Sequence, residues 1–258
     1  MTLSMFTDPS RAVLRITGKD ARPLLQDLVT NNLDRVTPTA LVYAALLTPQ
    51  GKFLFDFFIT EDAEGALLFD VAADRAPALA QRLSMYRLRR EMDISPTTLA
   101  VSLIWGGETP PDGALPDPRC AAMGWRLYGD PVEATSDRAA YDALRVAHLV
   151  PDTGTELLTD ETYILEAGFE RLNGVDFRKG CYVGQEVTAR MKHKTVLKKG
   201  IARVSVEGAA SAGTAIEVNG KPAGQLHTVA GGEALAHLRF DRAEGDMQAG
   251  DATLRRIA

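Results

Sequence analysis

The chain has 258 residues, 45% of them apolar and 24% charged, and a formal net charge of −5. This is ordinary globular composition, and it excludes disorder, collagen and coiled coil as the dominant architecture. A chain of this length buries a self-supporting core without metal or disulfide staples. The longest charge-free stretch, 36–51, is short and broken by Pro38 and Pro49, so no membrane span is expected. No basic segment followed by an apolar one opens the chain, as a secretory leader requires. Cys120 and Cys181 lie far apart, with no C-x-x-C and no histidine at zinc-finger spacing. No disulfide scaffold or metal site is expected, and the cytoplasm is the expected compartment.

In chain order, 13–16 reads as a short strand ending at Gly18. Asp20 is placed to cap a helix whose Leu24, Leu25, Leu28 and Val29 share one apolar face. Two strand-like runs, 41–47 and 52–60, are joined by the turn residues Thr48-Pro49-Gln50-Gly51, and a third run covers 66–72. The segment 74–90 reads as a helix with a basic end, Arg87, Arg89 and Arg90, where cations complement the helix dipole. Strand character returns over 93–105. Antiparallel neighbours separated by helices predict an α+β fold rather than a doubly wound sheet.

The segment 106–135 holds five prolines and little periodicity. It reads as a long loop or a weakly structured seam between subdomains. A helix follows over 137–149, with Tyr141, Leu144 and His148 on one side. The last sixty residues carry short β-like runs, 201–206, 214–218 and 234–238, set off by Asn219-Gly220, Gly231-Gly232 and Asp241. That pattern predicts a small barrel or sandwich. The expected division is therefore 1–197 and 198–258.

Charge is unevenly spread. From Arg171 to Arg203 there are nine Lys/Arg against only Asp176 and Glu186, a local charge of +7 that leaves −12 on the rest. One basic stripe on an acidic protein points to a specific anionic partner, a docking patch for an acidic protein, or a solvated face. Nucleic acid is disfavoured, because few aromatic stacking platforms are interleaved with these cations.

The most distinctive segment is Lys179-Gly180-Cys181-Tyr182-Val183-Gly184-Gln185-Glu186. Gln185 and Glu186 can begin a helix that continues through Met191. A thiol between a cation and a helix N-terminus is in a setting that favours the reactive thiolate. A buried cysteine in a glycine-rich turn is the alternative. On the strand 52–60, period two places Phe53, Phe55, Phe57 and Ile59 on one face and Leu54, Asp56 and Phe58 on the other. Asp56 on a doubly apolar strand needs hydrogen-bond donors, unless it lies near the strand end and faces water.

The octapeptide, with Thr188-Ala189-Arg190 after it, resembles the signature of the YgfZ family. Those folate-binding proteins are related to the aminomethyltransferase (T-protein) of glycine cleavage and to mitochondrial iron–sulfur maturation factors. Gly18-Lys19-Asp20-Ala21 with 25–31, Leu47-Thr48-Pro49-Gln50-Gly51-Lys52, and Leu144-Arg145-Val146 with 152–156 resemble further parts of that family. The resemblance implies an aminomethyltransferase-like ring of three subdomains around a central folate channel, with a C-terminal β-barrel. It implies tetrahydrofolate, with or without a polyglutamate tail, as cofactor. Asp56 would hold the pterin, and Glu166 resembles the pterin-binding glutamate of the T-protein. Lys179, Tyr182, Gln185 and Arg190 would line the cofactor site, and Cys181 would carry the chemistry.

Phe55 stands where the T-protein has the first of two adjacent acids, and Asn32 where many relatives have Asp. The loss at Phe55, the cysteine itself and a chain shorter than those enzymes usually are count against glycine-cleavage chemistry, and Asn32 leaves no role for the acid it replaces. The function implied is a folate-binding accessory protein of iron–sulfur cluster assembly or repair, with cluster clients or assembly proteins as partners. The alternatives are a folate-dependent aminomethyltransferase, or a folate-sensing or tRNA-modification adaptor without turnover.

Overall fold

The computed structural model of the chain describes residues 2–194 and 196–257. The chain opens with β1 (Ser4–Thr7), β2 (Arg11–Thr17) and the short helix α1 (Ala21–Gln26). Next come β3 (Val42–Leu47), β4 (Phe53–Glu61), β5 (Leu67–Ala72) and helix α2 (Ala76–Arg87). β6 (Asp93–Pro96), β7 (Ala100–Trp105), β8 (Leu115–Pro116) and β9 (Trp125–Gly129) lead to α3 (Arg138–Ala147). An irregular stretch then runs to α4 (Gln185–Lys194). The chain ends in β10 (Lys199–Glu207), β11 (Ala215–Val218), β12 (Lys221–Ala230), β13 (Glu233–Arg239), β14 (Asp246–Ala249) and β15 (Ala252–Arg256).

Three β units result: an antiparallel sheet β3-β4-β5-β2-β6, a second sheet β1-β7-β9-β8, and the closed barrel β10-β13-β12-β11-β14-β15. The α+β class and the C-terminal barrel are as the sequence predicts. No helix among the described residues is long and apolar enough to cross a membrane.

β4 explains how the layers stack. A strand apolar on both sides must be covered on both. Phe57 and Ile59 pack with Leu25, Leu28, Leu79 and Leu83 beneath α1 and α2. Tyr43 and Phe58 pack the other way, with Leu103 and Trp105 of the second sheet and with Ile164, Phe169 and Tyr182 of the irregular stretch. The strict alternation expected along β4 slips at a bulge opposite Leu46 and Leu47. Leu54 therefore joins Phe55 in the first core while Phe53 joins the second. Asp56 stays opposite Ala45, on the side of Phe58. The barrel interior is filled mostly by small side chains, Ala202, Ala223, Ala236 and Ala252 among them, around Val204, Leu226 and Met247.

Three local expectations are corrected. α1 stops at Gln26 rather than running to Val29, which instead bridges to Leu46. Asp20 does not cap it, because its Oδ2 accepts the Glu91 N–H at 2.7 Å. α2 begins after a 3-10 turn at Ala73–Arg75 and ends at Arg87. The largest difference is 106–135, which is no loose seam: β9 pairs with β7 from Gly129↔Ala100 to Trp125↔Ile104, and β8 pairs with β9.

Three of its charged residues, Asp117, Arg119 and Arg126, are buried in ion pairs, and Arg126 joins the two sheets. Asp70 of β5 accepts from Arg11 Nε and Arg126 Nη1, both at 2.7 Å, and from the Tyr128 hydroxyl at 3.1 Å. Asp117 accepts from Arg119 through both oxygens and from Arg126 at 3.4 Å. The Arg126 guanidinium lies 3.5 Å from the centre of the Phe58 ring. Burial works against the Arg126 charge, but Asp70 beside it holds the guanidinium above its usual value. A second cluster ties in the barrel. Glu156 accepts from Arg145 at 3.3 Å, from the Asp152 N–H at 2.9 Å, and from the Thr228 N–H of β12 at 3.1 Å.

Removing one member of a buried ion pair strands the other. Asp70→Asn should therefore cost about 3–5 kcal/mol of stability. Equilibrium urea unfolding of the two proteins measures the loss, and a change under 1 kcal/mol would show the network to be dispensable.

Candidate functional site

α4 begins at Gln185, as the sequence predicts, and the loop before it is braced on three sides. Gly184 (φ +83°) nests against Gly51 (φ +76°) of the β3–β4 turn. A Cβ on Gly184 would stand 2.6 Å from the Thr48 carbonyl oxygen and 3.0 Å from the Gly51 Cα. Both the left-handed backbone and the close approach require glycine there. The Tyr182 ring is buried in the second core, and its hydroxyl has no hydrogen-bond partner among the described residues. Burial pushes that phenol up to about 12, with Thr188 opposing.

On the other side, Lys179 Nζ donates to the carbonyls of Val29, at 2.8 Å, and of Gln26. The Gln26 oxygen is left free where α1 ends, the place where a cation complements the dipole, and the Val29 oxygen follows three residues on. Burial pulls Lys179 down to about 8, against the attraction of Asp27, Asp176 and Cys181. Cys181, between these anchors, is exposed, whereas Cys120 is half-buried against the second core. The reading of Cys181 as a buried cysteine is therefore corrected.

Thr30 and Asn31 hold the preceding segment, and sequence reasoning gave them no role of their own. Thr30 donates through its hydroxyl to the Gly174 carbonyl and accepts from the Ala45 N–H. Asn31 Nδ2 donates to the carbonyls of Tyr43 and Asn173. Two short polar residues directly after an apolar helix were the available signal. Asn32 caps the next turn, its Oδ1 accepting from the Asp34 N–H.

The structure brings Lys179, Cys181, Tyr182, Gln185 and Arg190 onto one loop–helix unit. Arg190 is exposed and pairs with Glu186 at 2.9 Å. The rest of the basic stripe is largely spent on the protein itself. Lys192 pairs with Glu170, Lys199 lies 3.7 Å from Glu166, and Arg171 and Arg203 donate to backbone carbonyls. The Lys194 side chain lies outside the described residues. A free anion-binding strip is not what these cations form.

Asp56 and Glu166 lie elsewhere, in different surroundings. Asp56 is 3% exposed and accepts from the Tyr43 hydroxyl at 2.9 Å and from the Thr153 hydroxyl. Glu166 faces Lys199 and His237, at 3.7 and 3.9 Å, across a cavity of about 150 Å³. Neither Tyr43 nor Thr153 lines that cavity. Asp56, the acceptor that the resemblance gives to the pterin, is covered and already bonded here. Glu166 also lines a second cavity, of about 340 Å³, within the roughly 300–1,000 Å³ usual for such ligands.

Known proteins bear on the identity of this chain. Residues 198–257 match the family model described as the C-terminal β-barrel domain of CAF17. The iron–sulfur cluster assembly factor IBA57 of Mus musculus is 32% identical over 92% of this chain and 78% of its own length. This chain belongs to the IBA57/CAF17 family. The human member is 29% identical with the same coverage, and the Neurospora crassa homologue is 30% identical over 74% of the chain but only 51% of its own length. The resemblance to YgfZ thus holds at the level of this wider family. These IBA57 relatives are named mitochondrial, which overturns the cytoplasmic expectation. Two cysteines far apart, neither in a disulfide, do not say which compartment holds the chain.

The aminomethyltransferase T of the glycine cleavage system from Bartonella henselae superposes with a TM-score of 0.77 over 99% of this chain and 85% of its own. At 14% identity that likeness establishes the aminomethyltransferase-like fold, as expected, and nothing about activity.

Lys179 gives this site a pH signature. In the unfolded chain it titrates at 10.5, in the folded one at about 8. Below pH 8 both states are charged and the full burial cost is present; above 10.5 both are neutral and the cost is gone. Stability should rise from about pH 8 to 10.5 in wild type relative to Lys179→Met. Urea midpoints across that range check this, and parallel profiles would contradict it.

Proposed function

We propose that this chain is an iron–sulfur cluster assembly factor that presents Cys181 as a thiolate to a cluster or persulfide carried by a partner protein. The observation that carries the reading is the exposure of Cys181 on a loop braced by Lys179, Tyr182 and Gly184. It is supported by the assembly factors to which the chain is 29–32% identical over nearly its whole length.

Chemistry sets the form of the reaction. An iron–sulfur cluster takes four ligands, most often thiolates. Among the described residues no three His, Cys, Asp or Glu side chains gather to hold a metal. Cys120 is half-buried against the second core, while Cys181 is exposed. Cys181 therefore supplies one ligand, and the partner supplies the rest. Binding forms one bond from the Cys181 sulfur to a cluster iron and breaks the bond from that iron to one partner thiolate, which leaves as a thiol with the proton that Cys181 gives up. Tyr182 anchors the loop in the core, and Lys179 places a cation beside the thiol at neutral pH. This reading rests on Cys181 and its loop and gives folate no step.

The test is rescue of cluster-dependent enzyme activity in cells lacking the native protein. Cys181→Ser conserves volume and removes the soft ligand, so it should fold like wild type and fail to rescue. Cys120→Ser should rescue. Full rescue by Cys181→Ser would remove the thiol from the mechanism.

A further inference from the structure

The C-terminal end of α2 carries a surface that neither the fold nor the Cys181 loop uses. Leu79, Leu83 and the half-buried Tyr86 face the core beneath the helix. The opposite side shows Met85 at 65% exposure and Leu88 at 87%. Leu88 ends the helix at φ +46°, in the left-handed region where glycine is at ease and leucine is strained. A helix stop alone would be better served by glycine. Leucine there holds both backbone strain and exposed carbon, a combination that marks contact surfaces.

Arg82, Arg87, Arg89 and Arg90 surround it, all exposed, with no acid between 82 and 90. Among the described residues only Arg87 of these four meets a carboxylate, Asp93 at 3.9 Å. The position of this turn matters as much as its charge. At the start of α1, Asp20 accepts the Glu91 N–H, and Lys19 pairs with the Glu91 carboxylate at 2.7 Å. At the end of α1, the Gln26 carbonyl receives Lys179. A six-residue helix is about 9 Å long. The arginine turn and the Cys181 loop therefore flank the two ends of one short helix.

We propose that the arginine-rimmed Leu88 turn is the docking surface for an acidic partner protein, the one that Cys181 serves; this rests on the function proposed above. The occupant is a protein face with an apolar socket for Leu88 and carboxylates around it. Arginine rather than lysine supplies every cation here, and its planar fork matches carboxylates bidentately. Arginine and methionine are also enriched at protein interfaces. A lipid surface would find only one leucine and one methionine to bury, too little for stable anchoring.

A photoreactive benzoylphenylalanine placed at 88, with exposed Lys221 as the control position, tests this in cells that carry the full chain. The result expected is an adduct at 88, absent at 221, with an acidic protein. That protein, purified, should bind Arg89→Glu/Arg90→Glu at least tenfold more weakly than wild type, with the difference shrinking at high salt. Leu88→Gly should bind more weakly yet melt about 2 °C higher, because the strain is relieved. No adduct, an adduct with a second copy of the chain, or affinity indifferent to charge reversal would overturn the proposal. So would Leu88-dependent binding to phosphatidylglycerol/phosphatidylcholine vesicles without a protein adduct. The two readings fail separately. Reversed arginines that rescue cluster enzymes while Cys181→Ser does not would sink the docking surface alone. Rescue by Cys181→Ser with binding still lost on reversal would sink the thiol's role alone.

Discussion

Asp70 stands where the two sheets meet, and the positions of the other layers follow from how its charge is matched. It comes from the five-stranded sheet and receives Arg126 from the four-stranded one, so the sheets cannot separate without stranding buried charge. Arg126 in turn reaches Asp117 and lies on Phe58, which fixes how the second core closes over β4. Glu156 repeats the device between α3, the 150–157 loop and the barrel. Ion pairs of this kind add little net stability compared with apolar packing, but they admit very few alternative arrangements. Here they lie between the sheets and the barrel of an aminomethyltransferase-like fold. Asp56 is covered by Thr153 and Tyr43.

The Cys181 loop sits at the outer end of these layers. The second core ends in Tyr182, the β3–β4 turn ends in Gly51, and the chain leaving α1 offers the carbonyls of Gln26 and Val29. Each of these ends is met by one residue of the same octapeptide. A reactive side chain on a surface loop is useful only where the loop is held still. The burial of Tyr182 and the desolvation of Lys179 are the local costs of holding Cys181 in place, and packing against two cores offsets them.

Much of the fold was legible, for identifiable reasons. The strands 41–47, 52–60 and 66–72 announced themselves through apolar runs and one turn, and the barrel through short runs between Asn-Gly and Gly-Gly pairs. The region 106–135 did not, because three of its buried residues, Asp117, Arg119 and Arg126, are charged. Charged side chains buried as ion pairs carry no apolar period, so they read as loop. The helix start at Gln185 and the proximity of Lys179 to Cys181 were visible in the octapeptide. The nesting of Gly184 on Gly51 was not, since it joins residues more than a hundred positions apart. Asp56 was rightly placed on a doubly apolar strand and rightly said to need donors. Which donors was beyond reach, because Thr153 comes from a loop with no pattern of its own.

The central claim is that the fold displays one thiol and shelters the other. Site-resolved alkylation rates of Cys181 and Cys120 by mass spectrometry, in the native protein near neutral pH, test it most directly. Access alone should make Cys181 the faster by at least about tenfold, with the ratio falling toward one in denaturant. A Cys120 that reacts as fast as Cys181 in the folded protein would contradict the account.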